Sequence, residues 1–149
     1  MILWRISNHV TLTGDGGLRA SGRWHTRGKR VVYCAENPAA ALLEILVHFE
    51  IEVRDLPATY KLLKITAPDQ ARIQRITPAD LPSGWRADRQ ATRGLGDAWL
   101  IEMSAPLLAV PSATVPETFN VLLNPLHPAA KHIVVVHASD YAIDPRLLG

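Results

Sequence analysis

Extended and helical runs follow one another in no regular alternation along this chain, and that order constrains its fold more than any single motif. "ILWRI" (2–6) reads as a strand, and the glycine-rich, polar "TGDGGLRASG" after it as loop. "KRVVYCA" is β-branched and aromatic, hence a second strand. "ENPAAALLEILVHFE" is a helix, with Asn37 as N-cap and Pro38 at the first helical position. "TYKLLKI" (59–65) is a third strand. The turn-rich "ITPADLPSGWR" leads into a second helix over 88–103. "PLLAVPSATVP" and "TFNVLLNP" give two short strands, and "KHIVVVHA" is the most convincing strand of all. Such an order does not build a doubly wound sheet. It predicts one α+β domain whose strands are twisted and mostly antiparallel.

The helices carry their own register. Leu42, Ile45, Leu46 and Phe49 recur at helical spacing as a core stripe, which Leu43 and Val47 widen. Asn37, Ala41, Glu44 and His48 are left on a narrow face. In the second helix Leu95, Trp99 and Met103 fall at i+4 spacing, although Gly94 and Gly96 weaken it.

A length of 149 residues suits one core, and 48% hydrophobic with 20% charged residues is an ordinary soluble composition. The net charge of +2 compels no nucleic-acid binding, yet Arg19, Arg23, Arg27, Lys29 and Arg30 crowd into one short stretch around Trp24 and His25. A phosphate-bearing ligand is the natural reason. Cys34 is the sole cysteine, which excludes an internal disulfide and points to a reducing cytoplasm, with the thiol as a small buried hydrophobe. "MILWRISNHV" lacks the layout of a signal peptide, and no apolar run approaches the ~18 residues of a membrane span. No membrane partner is expected.

Several motifs fail on inspection. "GRWHTRGKR" imitates a phosphate-binding P-loop, but it has one residue too many between Gly22 and Gly28 and leads into a strand. "GDGGLRASG" lacks the strand-then-helix setting of a dinucleotide fingerprint. His9, His25, His48, His127, His132 and His137 show no ligand spacing, and His132 and His137 bracket a strand on opposite faces, so no metal site is predicted. Ser112 in "VPSAT" is not on a nucleophile elbow.

What survives is a set of isolated polar residues: Arg23 in "GRW", Tyr33 at a strand end, Glu44 mid-helix among leucines, Ser112 between strands, and Asn124 in "LLNPLHP". Each also has an ordinary structural reading, as surface charge, core filling, helix polarity or turn former. Taken alone, these residues define an α+β domain with an anion site.

The whole chain resembles the RES domain family of bacterial Xre–RES toxin–antitoxin systems. The resemblance is carried by "LWRIS", "GRWHTRGKRVVYCAENPAAALLEILVH", "LPSGWR", "TRGLGDAWL", "LLAVPSATVPETFNVLLNPLHP" and "DPRLL", so residues 1–149 are expected to be one RES domain. It implies a fold like that of ADP-ribosyltransferase toxins and an attack on NAD, by hydrolysis, phosphorolysis or transfer of ADP-ribose to a protein. The family's arginine, glutamate and serine fall on Arg23, Glu44 and Ser112, and its strand-end tyrosine on Tyr33. Its usual asparagine after "GRW" is His25 here. The implied catalytic set is Arg23, Tyr33, Glu44 and Ser112, and the implied substrate-binding set Arg23, Trp24, His25, Tyr33 and Asn124. NAD enters as substrate, with no resident cofactor. The implied partner is an Xre-like antitoxin that binds DNA and blocks the active site, and the resemblance leaves room for a homodimer.

The chemistry suits these residues. Cleaving the nicotinamide–ribose bond passes through an oxocarbenium-like state that a carboxylate such as Glu44 stabilises. An arginine fork binds pyrophosphate in a bidentate way. The Tyr33 ring can stack on nicotinamide, and Ser112 can bond the ribose or amide. Two rivals stand beside this reading. An endoribonuclease toxin would put the basic stretch on RNA with His25 or His127 as general acid–base, and a binding module would have no use for Glu44.

Overall fold

The computed structural model describes residues 1–48 and 60–148. Phe49, Glu50 and Thr59, which the sequence reading put in the first helix and third strand, lie outside them. Seven strands, β1 (Ile2–Ser7), β2 (Val32–Ala35), β3 (Tyr60–Thr66), β4 (Ile73–Arg75), β5 (Leu107–Pro111), β6 (Phe119–Leu123) and β7 (Val134–Tyr141), form one sheet in the order β4-β5-β6-β2-β1-β3-β7. Every pairing is antiparallel except β4 with β5. The mixed, mostly antiparallel α+β domain expected from the order of elements is therefore the fold observed.

β5 and β6 lie inside the sheet, and both faces of β5 are buried. Leu107 points into one core cluster with Leu3, Val32, Leu63 and Ile65, whereas Leu108 and Val110 join Trp24, Trp85 and Trp99 on the other side. That burial explains the unbroken apolar run of β5. β7 is different. It is an edge strand, with Val134 and Val136 46% and 53% exposed, so these two valines serve strand propensity, and only Val135 between them packs on the core. Lys64 pairs with His137 and Ile65 with Val135, which leaves Val136 as a bulge. Lys131 and His132 belong to a 3-10 turn, Pro128–His132, so His132 and His137 do not bracket this strand.

Helix α1 (Gly16–Arg19) is a single turn inside the loop that sequence reading left without structure; Gly17 lets it sit against the 28–30 segment, where an added Cβ would lie 2.2 Å from the Lys29 carbonyl oxygen. The three-residue β4, too short to carry a pattern, was also not predicted.

Helix α2 (Pro38–His48) starts as expected, with Asn37 Oδ1 accepting from the Ala40 amide at 2.8 Å. Its core-facing side is shifted, however. Leu42 and Ile45 of the expected stripe pack on the core but are only half-buried, as are Leu43 and Leu46, and the one fully buried side chain among the described residues of the helix is Ala41, from the supposed narrow face. A small side chain there lets the helix lie close over β1 and β2, against Ile6 and Ala35. Helix α3 (Arg89–Glu102) is capped by Asp88, which accepts from the Ala91 amide. Its buried face is Thr92, Gly96, Trp99 and Leu100, while Leu95 and Met103 are each 39% exposed.

β1 pairs with β3 along its whole length, yet with β2 only through Trp4 and Ala35. The sheet thus has a seam, crossed by α2.

Candidate active site

Glu44 stands one turn beyond Ala41, on the side of α2 that meets the sheet, so its carboxylate is delivered to the seam. There Glu44 Oε1 accepts a hydrogen bond from Ser112 Oγ at 3.2 Å, across 68 residues of sequence. Ser112 is buried, and its oxygen accepts from the Thr114 and Val115 amides, both at 3.1 Å. Those two donors leave its one proton for Glu44. Ser112 therefore orients the carboxylate and does not line the cleft, contrary to the ligand-contacting role expected of it.

Two adjoining cavities share Tyr33, Glu44 and Asn120. One, of about 240 Å³, is walled by Trp4, Ile6, Ala35, Ala41 and Ile45 and reached by Arg5. The other, about 110 Å³, opens toward Gly22, Arg23, Arg89 and Thr114. Together they make a cleft with an apolar end, a carboxylate in the middle and a basic end. A third cavity of about 340 Å³ lies behind Tyr33, lined by His25 and by the loop of residues 11–19.

The basic end is held by α3. Arg93 Nε donates to the Gly22 carbonyl at 2.7 Å, and Thr92 Oγ1 to the Arg23 carbonyl at 2.6 Å. Asp97 accepts from the Thr26 amide and hydroxyl at 2.8 and 2.6 Å. At Gly96 the Trp24 carbonyl oxygen comes so near that an added Cβ would lie 1.7 Å from it. Gly96 is thus a docking requirement rather than a weak point.

Arg23 is half-buried and donates to the Arg86 carbonyl at 3.0 Å. Burial, then the neighbouring Arg89 and Arg93 charges, hold its pKa below the ordinary arginine value, against an opposing pull from Glu44. None of Arg23, Arg89 and Arg93 makes an ion pair among the described residues. The charge that matters is therefore Arg23 with two arginines of α3, not the run from Arg19 to Arg30, of which Arg30 is already paired with Asp15. Arg89 and Arg93, at i and i+4 near a helix start, were the legible signal for this.

Tyr33 and His25 form a latch. The Ala20 carbonyl, 2.9 Å from His25 Nε2, can only accept, so that nitrogen carries the proton. Nδ1 then accepts from the Gly22 amide at 3.2 Å and from the Tyr33 hydroxyl at 2.8 Å. The tyrosine oxygen in turn accepts from the Trp24 amide at 3.2 Å. Burial lowers the His25 pKa and raises that of Tyr33, so both stay neutral. With both ring nitrogens occupied, His25 holds Tyr33 in place and does not reach the Glu44 cleft.

The other sequence candidates divide. The Trp24 ring is buried against Trp85, with centroids 6.2 Å apart, and contributes to the site through its backbone. Asn124 is not at the cleft. Its Nδ2 donates to the Leu100 carbonyl at 3.1 Å and its Oδ1 accepts from the Leu126 amide at 3.1 Å, closing the C-terminal end of α3. The asparagine that does line the cleft is Asn120, paired with Ala35 across the strands; an asparagine inside "FNVLL" was visible but not singled out. Arg5 was missed too. Cys34 is buried and its thiol pushed up to about 11 by desolvation, unsuited to a nucleophile. His127 lies in a separate cavity with Arg72 and His132, so the two histidines of the ribonuclease reading do not meet. Among the described residues, no group of three or more His, Cys, Asp or Glu is placed to hold a metal and no helix is long and apolar enough to cross a membrane.

Comparison with known proteins adds a family. The profile described as RES domain matches residues 2–144. A Pseudomonas putida protein named "Toxin Res" is 48% identical and aligns over 99% of both chains. A Sphingobium protein named "Prs ADP-ribosylating toxin" is 36% identical over 97% of this chain and 95% of its own. In fold, the chain is similar to one in the crystal structure of the M. tuberculosis MbcT-MbcA toxin-antitoxin complex, with TM-score 0.78, 18% identity and coverage of 95% and 84%.

Proposed function

This chain belongs to the RES domain family, and from that premise we propose that it is the toxin of a toxin–antitoxin pair, an enzyme that acts on NAD by breaking the nicotinamide–ribose bond. The observation that carries the reading is Glu44, oriented by Ser112 at the centre of a cleft that is apolar on one side and arginine-lined on the other. The bond to be broken joins a flat ring to a ribose that carries a pyrophosphate, in the same order.

Arg23 and Arg89 take the pyrophosphate. The Tyr33 ring, locked through its hydroxyl, forms a wall for nicotinamide. Glu44 stabilises the positive charge that develops on the ribose as the ring departs. Nicotinamide leaves neutral from a cation, so this scheme calls on no protein nucleophile and no resident cofactor.

Hydrolysis, phosphorolysis and transfer to a protein share this step and differ in the acceptor. The name of the Sphingobium relative favours including a protein acceptor in the test. The partner is proposed to be an Xre-like, DNA-binding antitoxin that closes the cleft; that the structural relative lies in a toxin–antitoxin complex supports a protein partner of this kind. Incubation of the purified chain with NAD, with and without phosphate and candidate proteins, tests the reading by the product formed. Glu44→Gln preserves shape and removes charge, and is expected to lower NAD consumption by about 10²–10³. A folded Glu44→Gln chain with the unmutated rate would refute the assignment.

A further inference from the structure

Three exposed apolar side chains meet in one groove, at the end of α3 away from Arg89. Ile101 and Leu126 are the two most exposed large hydrophobic residues among those described, at 71% and 61%, and with Leu18 they line a cavity of about 260 Å³. They come from α3, from the loop after β6 and from α1, so no local pattern brings them together. Ile101 lies two residues past Trp99, which turns it away from the buried face of its helix. Met103 extends the group, for its sulfur is 3.3 Å from Asn124 Nδ2, and Asn124 lines the same groove. Single exposed apolar residues are ordinary, but several around a formed groove mark an interaction surface.

The rim decides what can cover it. Lys29 and Arg30 line the groove, and among the described residues no carboxylate does. Arg30 is already paired with Asp15, whereas Lys29 makes no ion pair there. A second copy in two-fold contact would bring these cations against themselves, on a chain whose net charge is already +2. The complementary surface is a large apolar side chain with carboxylates beside it. A cavity of roughly 150 Å³ holds a benzene-sized group, so about 260 Å³ admits a leucine or phenylalanine side chain. The position suits the partner already proposed. Helix α3 and the 22–30 segment build both this groove and the basic end of the cleft, and from Arg89 to Ile101 the helix rises only about 18 Å.

We propose that this groove is a second grip for the antitoxin, which anchors there a large apolar side chain flanked by carboxylates, and that it takes no part in blocking the reaction. The inference rests on the toxin–antitoxin reading and deepens it, by separating the surface that holds the partner from the cleft that the partner closes. The groove shares no lining residue with either cavity of that cleft.

Ile101 and Leu126 are exposed enough to be changed with little effect on folding. The double substitution Ile101→Gln with Leu126→Gln is expected to raise the dissociation rate of the purified antitoxin by about 10- to 100-fold, while the free variant consumes NAD at the unmutated rate. At saturating antitoxin the variant is expected to be blocked as fully as the unmutated chain. Lys29→Glu is expected to slow association and to lessen its dependence on salt. Unchanged dissociation in the double variant, unchanged association in Lys29→Glu, or a double variant that saturating antitoxin no longer blocks each overturns the proposal. A chain that is dimeric in solution and becomes monomeric in the double variant gives the groove to a second copy, which overturns it as well. The two readings fail separately. An antitoxin that neither binds nor blocks the unmutated chain defeats the toxin–antitoxin reading, whereas one that binds and blocks both chains equally defeats this inference alone.

Discussion

Two glycines only two residues apart, on opposite sides of α3, make opposite predictions for the same substitution. In Gly96→Ala the new Cβ would stand 1.7 Å from the Trp24 carbonyl oxygen and 2.7 Å from its carbon. Ordinary contact is roughly 3.5 Å, so well over ~1 Å of clearance must be found, and a backbone carbonyl cannot rotate out of the way. The helix and the 22–26 segment must move apart. The side-chain bonds that join them, from Thr92, Arg93 and Asp97, are 2.6–2.8 Å long and do not survive such a shift. Each contributes about 1 kcal/mol, and alanine returns about 1 kcal/mol of helix propensity. The net expectation is a loss of about 2–4 kcal/mol, or a Tm lower by about 5–15 °C for a domain of this size. At Gly94 an added Cβ meets nothing within 4 Å, so only the propensity gain remains and the Tm should rise by about 2–4 °C. Thermal unfolding of both variants beside the unmutated chain decides the matter. A Gly96→Ala protein that melts at or above the unmutated temperature would show that the loop is not docked as described.

Burial holds the His25 pKa below its ordinary 6.5. Above that pH both states are neutral and stability is full; as pH falls below it, the unfolded chain binds a proton that the folded one refuses, and stability drops. His25→Asn keeps a hydrogen-bonding side chain without a titrating ring, so its Tm should fall less between about pH 7.5 and 5.5, and equal slopes would refute the neutral latch. The complex with its antitoxin, co-expressed and co-purified, is expected to be inactive on NAD and to associate more slowly as salt rises, because the unpaired Arg23, Arg89 and Arg93 attract carboxylates. A complex that turns NAD over at the free rate would remove the blocked-site mechanism while leaving the enzyme assignment intact.

What was legible in the sequence is what local chemistry decides. Asn37 and Pro38 begin α2, Asp88 begins α3, and the irregular order of elements selects a mixed, mostly antiparallel sheet. The misreadings share one cause, which is that the deciding neighbour is distant in sequence. Leu95 and Met103 have the better apolar pattern, but the buried face of α3 is chosen by a loop that needs Thr92 and Gly96. Asn120 and Asn124 stand in one short segment. Register with Ala35 sends Asn120 to the cleft, and the end of α3 claims Asn124. The arginines from 19 to 30 are close in sequence, yet the row at the cleft needs α3 docked on Gly22 and Arg23 before it exists.

The seam between β1 and β2 ties the fold to the chemistry. Had the two strands paired along β2 as β2 pairs with β6, no cavity of about 240 Å³ would lie between Trp4, Tyr33 and Glu44. Stopping the pairing after Trp4 and Ala35 has a cost, since backbone polar groups beyond that pair need other partners. Arg5 answers it at Tyr33, donating through Nη1 to the carbonyl across the gap. The same guanidinium is buried, with Nε left without a partner among the described residues. A side chain that only propped the seam would not need a second donor in that position; a hydrophobic residue of similar length would fill the gap without burying a charge. That Arg5 occupies it, with α2 laying a carboxylate over the same opening, argues that the break in the sheet is there for a ligand.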